Sequence, residues 1–152
     1  MRKSHGIRGT LLCLLLYSLI FGAHAESRFD GDYVRLTKIC WSSSEASLGY
    51  ECGDPQEEGV AIKHIRGSLF YININTIGGN AHRCWYKGIG TMKNRIIETR
   101  SSTDDCGARI KINGNRAELS QLGRCYGYCG ARASLGASKL KKKSHVKKRI
   151  QK

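Results

Sequence analysis

Cys125 and Cys129 flank a Tyr-Gly-Tyr in the stretch RCYGYCGARASLG, residues 124–136, and no other part of the chain looks more like a chemical motif. Two thiols four positions apart can exchange disulfides, hold a metal or cross-link the fold. Exchange chemistry calls for a C-x-x-C pair at a helix N-terminus, where the thiol pKa falls. Cys125-x3-Cys129 has neither the spacing nor a helical context. A zinc site calls for four ligands at recognisable spacing. Outside the first 25 residues the histidines are His64, His82 and His145, and no C-x-x-C pair accompanies them. His82 and Cys84, two apart, would share one face of a strand, which is half a site at best. The cross-link is the expected role.

Other catalytic constellations are thin. No serine occupies a nucleophile elbow, and "GASKL" after residue 135 only loosely approaches one. A carboxylate pair for glycoside hydrolysis would have to be drawn from Glu57, Glu58, Glu98, Asp104 and Asp105. Each stands in a polar stretch, with nothing to drive two pKa values apart. The expectation is a protein with no catalytic, cofactor-binding or metal-binding residues. The aromatics beside the cysteines are the better lead. Trp41 and Trp85 are expected to pack over disulfides in a small core. Tyr126 and Tyr128, in a Gly-containing loop, are expected to face a protein partner.

The compartment follows from the N-terminus. Arg2, Lys3 and Arg8 precede the apolar run LLCLLLYSLIFG, and Ala23-His24-Ala25 puts small residues at the positions a signal peptidase reads. That is a secretory signal over residues 1–25, with a run too short for a span of about 20 residues. Cys13 follows Leu12, so a lipid-attachment site is not expected. Export places the protein in the periplasm or outside the cell. Cys40, Cys52, Cys84, Cys106, Cys125 and Cys129 are then six cysteines in an oxidising environment, enough for three disulfides. Six cysteines allow 15 pairings. Nearest-neighbour pairing closes the shortest loops and is the expected one: Cys40–Cys52, Cys84–Cys106, Cys125–Cys129.

The net charge of +14 is unevenly spread. Residues 139–152, KLKKKSHVKKRIQK, hold eight basic residues and no acid, whereas residues 26–138 hold 15 basic against 12 acidic ones. A nearly neutral domain with a flexible basic tail is expected, with Lys141, Lys142, Lys143, Lys147, Lys148 and Arg149 as candidates for contact with a polyanion or an anionic envelope surface. No aromatic residue interleaves with these cations, so specific nucleic-acid recognition is not expected. No second apolar stretch is long enough to span a membrane.

The body, residues 26–138, reads as strands. In SLFYININTI, Phe70, Ile72 and Ile74 alternate with Tyr71, Asn73 and Asn75. In DYVRLTK, Val34 and Leu36 share one face and Arg35 and Thr37 the other. GVAIKHI, HRCWYKGIG and NRIIETR add runs of similar kind, while residues 78–80, Gly88, Gly90 and residues 101–107 read as turns and loops. In ARIKINGNRAEL, Asn113-Gly114 at the centre of a two-residue turn would pair Ile112 with Asn115, Ile110 with Ala117 and Lys111 with Arg116. Residues 41–59 are polar and loop-like. The sum is an all-β domain, a small antiparallel barrel or sandwich of about seven to eight short strands.

GRCYGYCGARASLGASKLK and the opening FDGDYVRL resemble segments of small secreted or periplasmic bacterial proteins of lysozyme-inhibitor-like type. The resemblance implies a disulfide-stapled β-barrel, an exported location and an inhibitory or binding role without enzymatic activity. The serine-glycine loop with a following aromatic, by which membrane-bound inhibitors of this type enter the lysozyme cleft, is absent from the sequence.

Overall fold

Period-two alternation runs through most of the chain between residues 31 and 142, and each such run becomes a strand. A computed structural model describes residues 27–47, 49–78, 81–130 and 133–144. A 3-10 turn, Ser27–Phe29, leads into β1 (Gly31–Thr37), β2 (Cys40–Ser42), β3 (Tyr50–Cys52), β4 (Gln56–Arg66), β5 (Leu69–Ile77), β6 (Arg83–Lys93), β7 (Ile96–Arg100), β8 (Cys106–Asn113), β9 (Arg116–Gly123) and β10 (Ala137–Lys142). Eight of these form a closed antiparallel barrel in the order β1-β10-β9-β8-β7-β6-β5-β4, and β2 and β3 form a separate hairpin. Every barrel strand pairs with its neighbour in the chain, apart from the β2–β3 insertion and the final closure of β10 on β1. The signal segment lies outside the described residues.

The interior is filled. Phe70, Ile72 and Ile74 of β5 point inward as their alternation predicts, and they meet Val60, Ile62, Tyr86, Ile97, Ile110, Ile112, Leu119 and Leu140 in one core. An eight-stranded barrel is just wide enough for side chains to fill it. Gly88 and Gly90, which read as turn residues, lie instead inside β6 on its inward face. A Cβ at either would collide with Thr99 and Tyr86, or with Ile97. The rings and branched chains of the core occupy the space those two residues leave.

The two ends of the barrel are built differently. At one end, three two-residue turns join β4 to β5, β6 to β7 and β8 to β9. Asn94 and Arg95 both have positive φ, the geometry of a type I′ turn, and Gly67 and Gly114 have positive φ at the first central position, as a type II′ turn requires. This end is covered by the 3-10 turn: Tyr33 donates to the Phe29 carbonyl at 3.2 Å, and Lys142 Nζ donates to the Arg28 carbonyl at 2.7 Å. Burial, with Asp30 beside it, pushes the Tyr33 phenol above its ordinary range. At the other end lie the longer connections, and the described residues of 38–55, 78–82, 101–105 and 124–136 gather there.

Three expectations need correction, and β1 has a polar side inward. The β8–β9 turn is centred on Gly114-Asn115 rather than Asn113-Gly114, so Ile112 faces Ala117 and Ile110 faces Leu119. The shift moves each partner by two positions, which preserves the buried face and sets Lys111 opposite Glu118 instead of Arg116. β1 divides its faces as expected, and it is Tyr33, Arg35 and Thr37 that point inward, while Leu36 is 70% exposed. The cause is Glu58 on β4, whose side chain is fully buried. It accepts from Arg35 Nε at 2.5 Å, from Thr37 Oγ1 at 2.5 Å and from the Ile77 amide at 2.7 Å. Glu58 is therefore no solvated carboxylate. Finally, the basic tail does not begin at residue 139. Lys139, Lys141 and Lys142 belong to β10, where a bulge between Ala137 and Leu140 turns both apolar residues inward. Leu140 is completely buried.

Two stability measurements test this architecture. Leu140→Ala should cost about 2–5 kcal/mol in urea unfolding, while Lys141→Ala should be nearly neutral; equal, small effects would mean that β10 is not part of the core. Arg35→Ala leaves a buried carboxylate without its cation and should cost about 3 kcal/mol or more. Arg109→Ala, which breaks the exposed pair with Glu98, should cost less than about 1 kcal/mol.

Candidate functional site

Residues 124–130 cross the loop end of the barrel and are tied down from both sides. Cys106 at the start of β8 bonds Cys125, and Cys84 at the start of β6 bonds Cys129. Only Cys40–Cys52 follows the expected pairing. Cys125 and Cys129 are not joined to each other because a turn runs between them, with the Cys129 amide donating to the Cys125 carbonyl at 3.0 Å. The turn sends the two thiols to different strands of the wall. Backbone bonds complete the clamp: Trp85 N–H donates to the Tyr128 carbonyl at 2.9 Å and Gly130 N–H to the Arg83 carbonyl at 3.1 Å. Downstream, Thr76 Oγ1 donates to the Ser134 carbonyl, Gln121 Oε1 accepts from the Leu135 amide, and Leu135 is buried.

The clamp separates its two tyrosines. Tyr126 sits at the apex of the turn and is 85% exposed. Tyr128, also expected to face a partner, turns inward: its ring meets Tyr86 edge-on at 5.2 Å, and its hydroxyl donates to Asp104 Oδ2 at 3.1 Å, with Ser101 Oγ equally near. Tyr128 is a support for the clamp. A groove of about 490 Å³ runs beside Tyr126, bounded by Gln121, Arg124, Gly130 and Ala133.

The β2–β3 hairpin rises from the same end. Its six strand residues are all exposed, so it has no hydrophobic face to dock, and Cys40–Cys52 supplies the tie that burial does not. Trp41 on β2 is 44% exposed and Trp85 on β6 is 63% exposed, so neither packs into the core over a disulfide as expected. For Trp85 the reason is register. Cys84 and Tyr86 point inward, which forces the residue between them outward.

The remaining candidates are dispersed. Glu57 pairs with Lys143 at 2.7 Å on the outer wall, and Glu98 pairs with Arg109 at 2.7 Å on another part of it. Asp104 holds Tyr128, and Asp105 accepts the Arg124 amide through its carbonyl. His64 Nε2 lies 2.8 Å from the Gly67 carbonyl at the opposite end of the barrel from His82, which packs against Gly130. Among the described residues no three His, Cys, Asp or Glu side chains gather as metal ligands, and no helix is long and apolar enough to cross a membrane. Of the six cations expected to attract polyanions, Lys142 and Lys143 are engaged within the fold and Lys141 is exposed on β10. Lys147, Lys148 and Arg149 lie outside the described residues. Sequence reasoning missed the Glu58 network and the stand-alone hairpin. The only available signal for the hairpin was a Cys pair enclosing a polar segment.

Compared with known proteins, the chain matches no family model, no curated protein and no solved structure.

Disulfide mapping of the intact protein should recover the fragments Cys84–Cys129 and Cys106–Cys125; a Cys125–Cys129 fragment would overturn the clamp. On graded reduction Cys40–Cys52, the exposed bridge, should open first, because access by the attacking thiolate limits the rate.

Proposed function

We propose that this protein is an exported, non-enzymatic binding module of the periplasm or extracellular space, acting on a partner protein through the loop end of its barrel. The observation that carries the reading is Tyr126, an aromatic side chain 85% exposed on a turn pinned by two disulfides. A tyrosine offers a large contact area with few rotatable bonds, and a loop fixed before contact loses little entropy on binding. Arg124 beside the groove adds a planar cation of the kind enriched at binding hot spots. Three disulfides suit an oxidising compartment. The resemblance to lysozyme-inhibitor-like proteins makes lysozyme the first partner to assay, and inhibition is one outcome such binding would have.

The test is a binding titration with the disulfide-intact protein, first against lysozyme and then against proteins of its own extracellular or periplasmic fraction. Expected is a discrete partner bound by the wild type and weakened at least about tenfold by Tyr126→Ala, with Tyr71→Ala, on the outer wall, unchanged. A partner held equally by Tyr126→Ala would remove the loop end from the reading, and no partner at micromolar concentration would overturn it.

A further inference from the structure

The outer wall carries a second surface, distinct from the clamp. Strand register places Val34, Gly59, Asn75 and Trp85 in one outward row across β1, β4, β5 and β6, with Asp32, Ala61, Asn73 and Lys87 in the row beside it. Gly59 stands near the middle. A Cβ there would collide with the Tyr33 carbonyl oxygen, so no larger residue fits and the wall is dented at that point. The dent is a recess of about 140 Å³, floored by the Gly59 backbone and rimmed by Asp32, Val34, Ala61, Asn73 and Asn75. It has room for about one sugar ring. Trp85, largely exposed, is the cross-strand neighbour of Asn75 and so stands next to it.

Asn75 adds a second, independent observation. Its Oδ1 is buried and has no hydrogen-bond partner, the one such side-chain atom among the described residues. Buried unsatisfied acceptors are rare in folded proteins and call for an explanation. The torsion that orients an asparagine amide is soft, and the recess is the open space the amide borders, so a hydroxyl there can satisfy it.

The chemistry of the surface narrows the occupant. A peptide strand cannot add to this wall, because a closed barrel offers no free edge. An apolar ligand would desolvate Asp32, Asn73 and Asn75 without replacing their water hydrogen bonds. A phosphate or sulfate would meet the Asp32 and Glu57 carboxylates, the latter already paired with Lys143. A neutral saccharide meets every requirement. Its C–H face stacks on an exposed indole, and its hydroxyls donate to carboxylate and amide oxygens while accepting from amide N–H groups. Lys87 and Lys141 flank the recess at opposite sides, outside it. We propose that the outer wall around Gly59 is a binding site for a neutral saccharide, with Trp85 as the stacking platform and Asp32, Asn73 and Asn75 as the hydrogen-bonding rim.

The chain has two tryptophans, Trp41 and Trp85, so Trp41→Phe in the full chain leaves Trp85 as the sole indole reporter. Cello-, xylo-, malto- and chito-oligosaccharides would be titrated at up to millimolar concentration, with indole emission and calorimetry as readouts. Expected is a saturable emission change for at least one series, insensitive to added salt. In calorimetry on the wild-type background, Trp85→Ala should lose all binding, and Asn75→Ala should weaken it by about tenfold or more. Tyr126→Ala should leave it unchanged, which separates this site from the clamp. No response from any series overturns the proposal, as does binding that survives Trp85→Ala. A response confined to anionic glycans such as heparin and abolished by salt also overturns it, assigning the interaction to the flanking lysines.

Discussion

Pairing of β10 with β1 is the contact on which the rest of the molecule depends. Seven consecutive strands of the barrel are joined to their neighbours through long registers, but the closing seam is short, with Tyr33 opposite Lys142 and Val34 opposite Lys141. Without that seam, β1 and β10 would present open edges of unpaired amides and carbonyls, templates for association with other chains. Leu140 holds the seam from inside, and the lysines around it keep the outer side solvated. Lys142 serves both purposes. Its aliphatic stem lies beside Gly31, and its ammonium reaches the Arg28 carbonyl and stands 5.7 Å from the Tyr33 ring. A basic strand makes sense here, because lysine is a residue that discourages pairing with a foreign edge while it completes a native one.

Closure also divides the molecule into a regular and an irregular end. Where two-residue turns join the strands, twist and register are set locally and no cross-link is present. Where the four long connections meet, local geometry specifies little, and all three disulfides are found there. Two of them fix residues 124–130 across the barrel mouth. The third closes a hairpin that touches little else and has no apolar face of its own. Each bridge thus stands where burial alone would leave the backbone free. The consequence for recognition is a set of exposed aromatic side chains at one end, Tyr126, Trp41 and Tyr50, presented on covalently restrained loops.

Which parts of this were legible in the sequence follows from which forces are local. The inward ladder of Phe70, Ile72 and Ile74 depends only on alternation. The β8–β9 hairpin depends on alternation and a glycine, and its error of one position in the turn changed the cross-strand partners but not the buried face. The features that were not legible rest on contacts distant in sequence. Arg35 and Thr37 face inward because Glu58 lies opposite on β4, an arrangement that no window around β1 could contain. β10 was hidden in a lysine run because its bulge separates Ala137 and Leu140 by three positions, breaking the period of two. The disulfide partners of Cys125 and Cys129 are decided by which strands border the mouth. Gly88 and Gly90 are typical of turns in composition, yet here they make room for Tyr86 and the core.

The same reasoning bears on where recognition can occur. The axis of the barrel is occupied by Phe70, Tyr86, Tyr33 and a set of branched side chains, with the buried Glu58 and its partly exposed partner Arg35 among the polar groups near the loop end. Ligands are left the mouth and the wall. The mouth is restrained, aromatic and carries Arg124, which suits a protein surface able to exclude water around a tyrosine. The wall near Gly59 is shallow, amide-rich and beside an indole, which suits a ligand with many hydroxyls and one apolar face. The dent in the wall and the inward turn of β1 share a cause. With Tyr33 inside, its carbonyl lies against Gly59, and only a residue without a side chain lets β1 and β4 approach. The packing choice that seals the barrel therefore also shapes the recess on its outside.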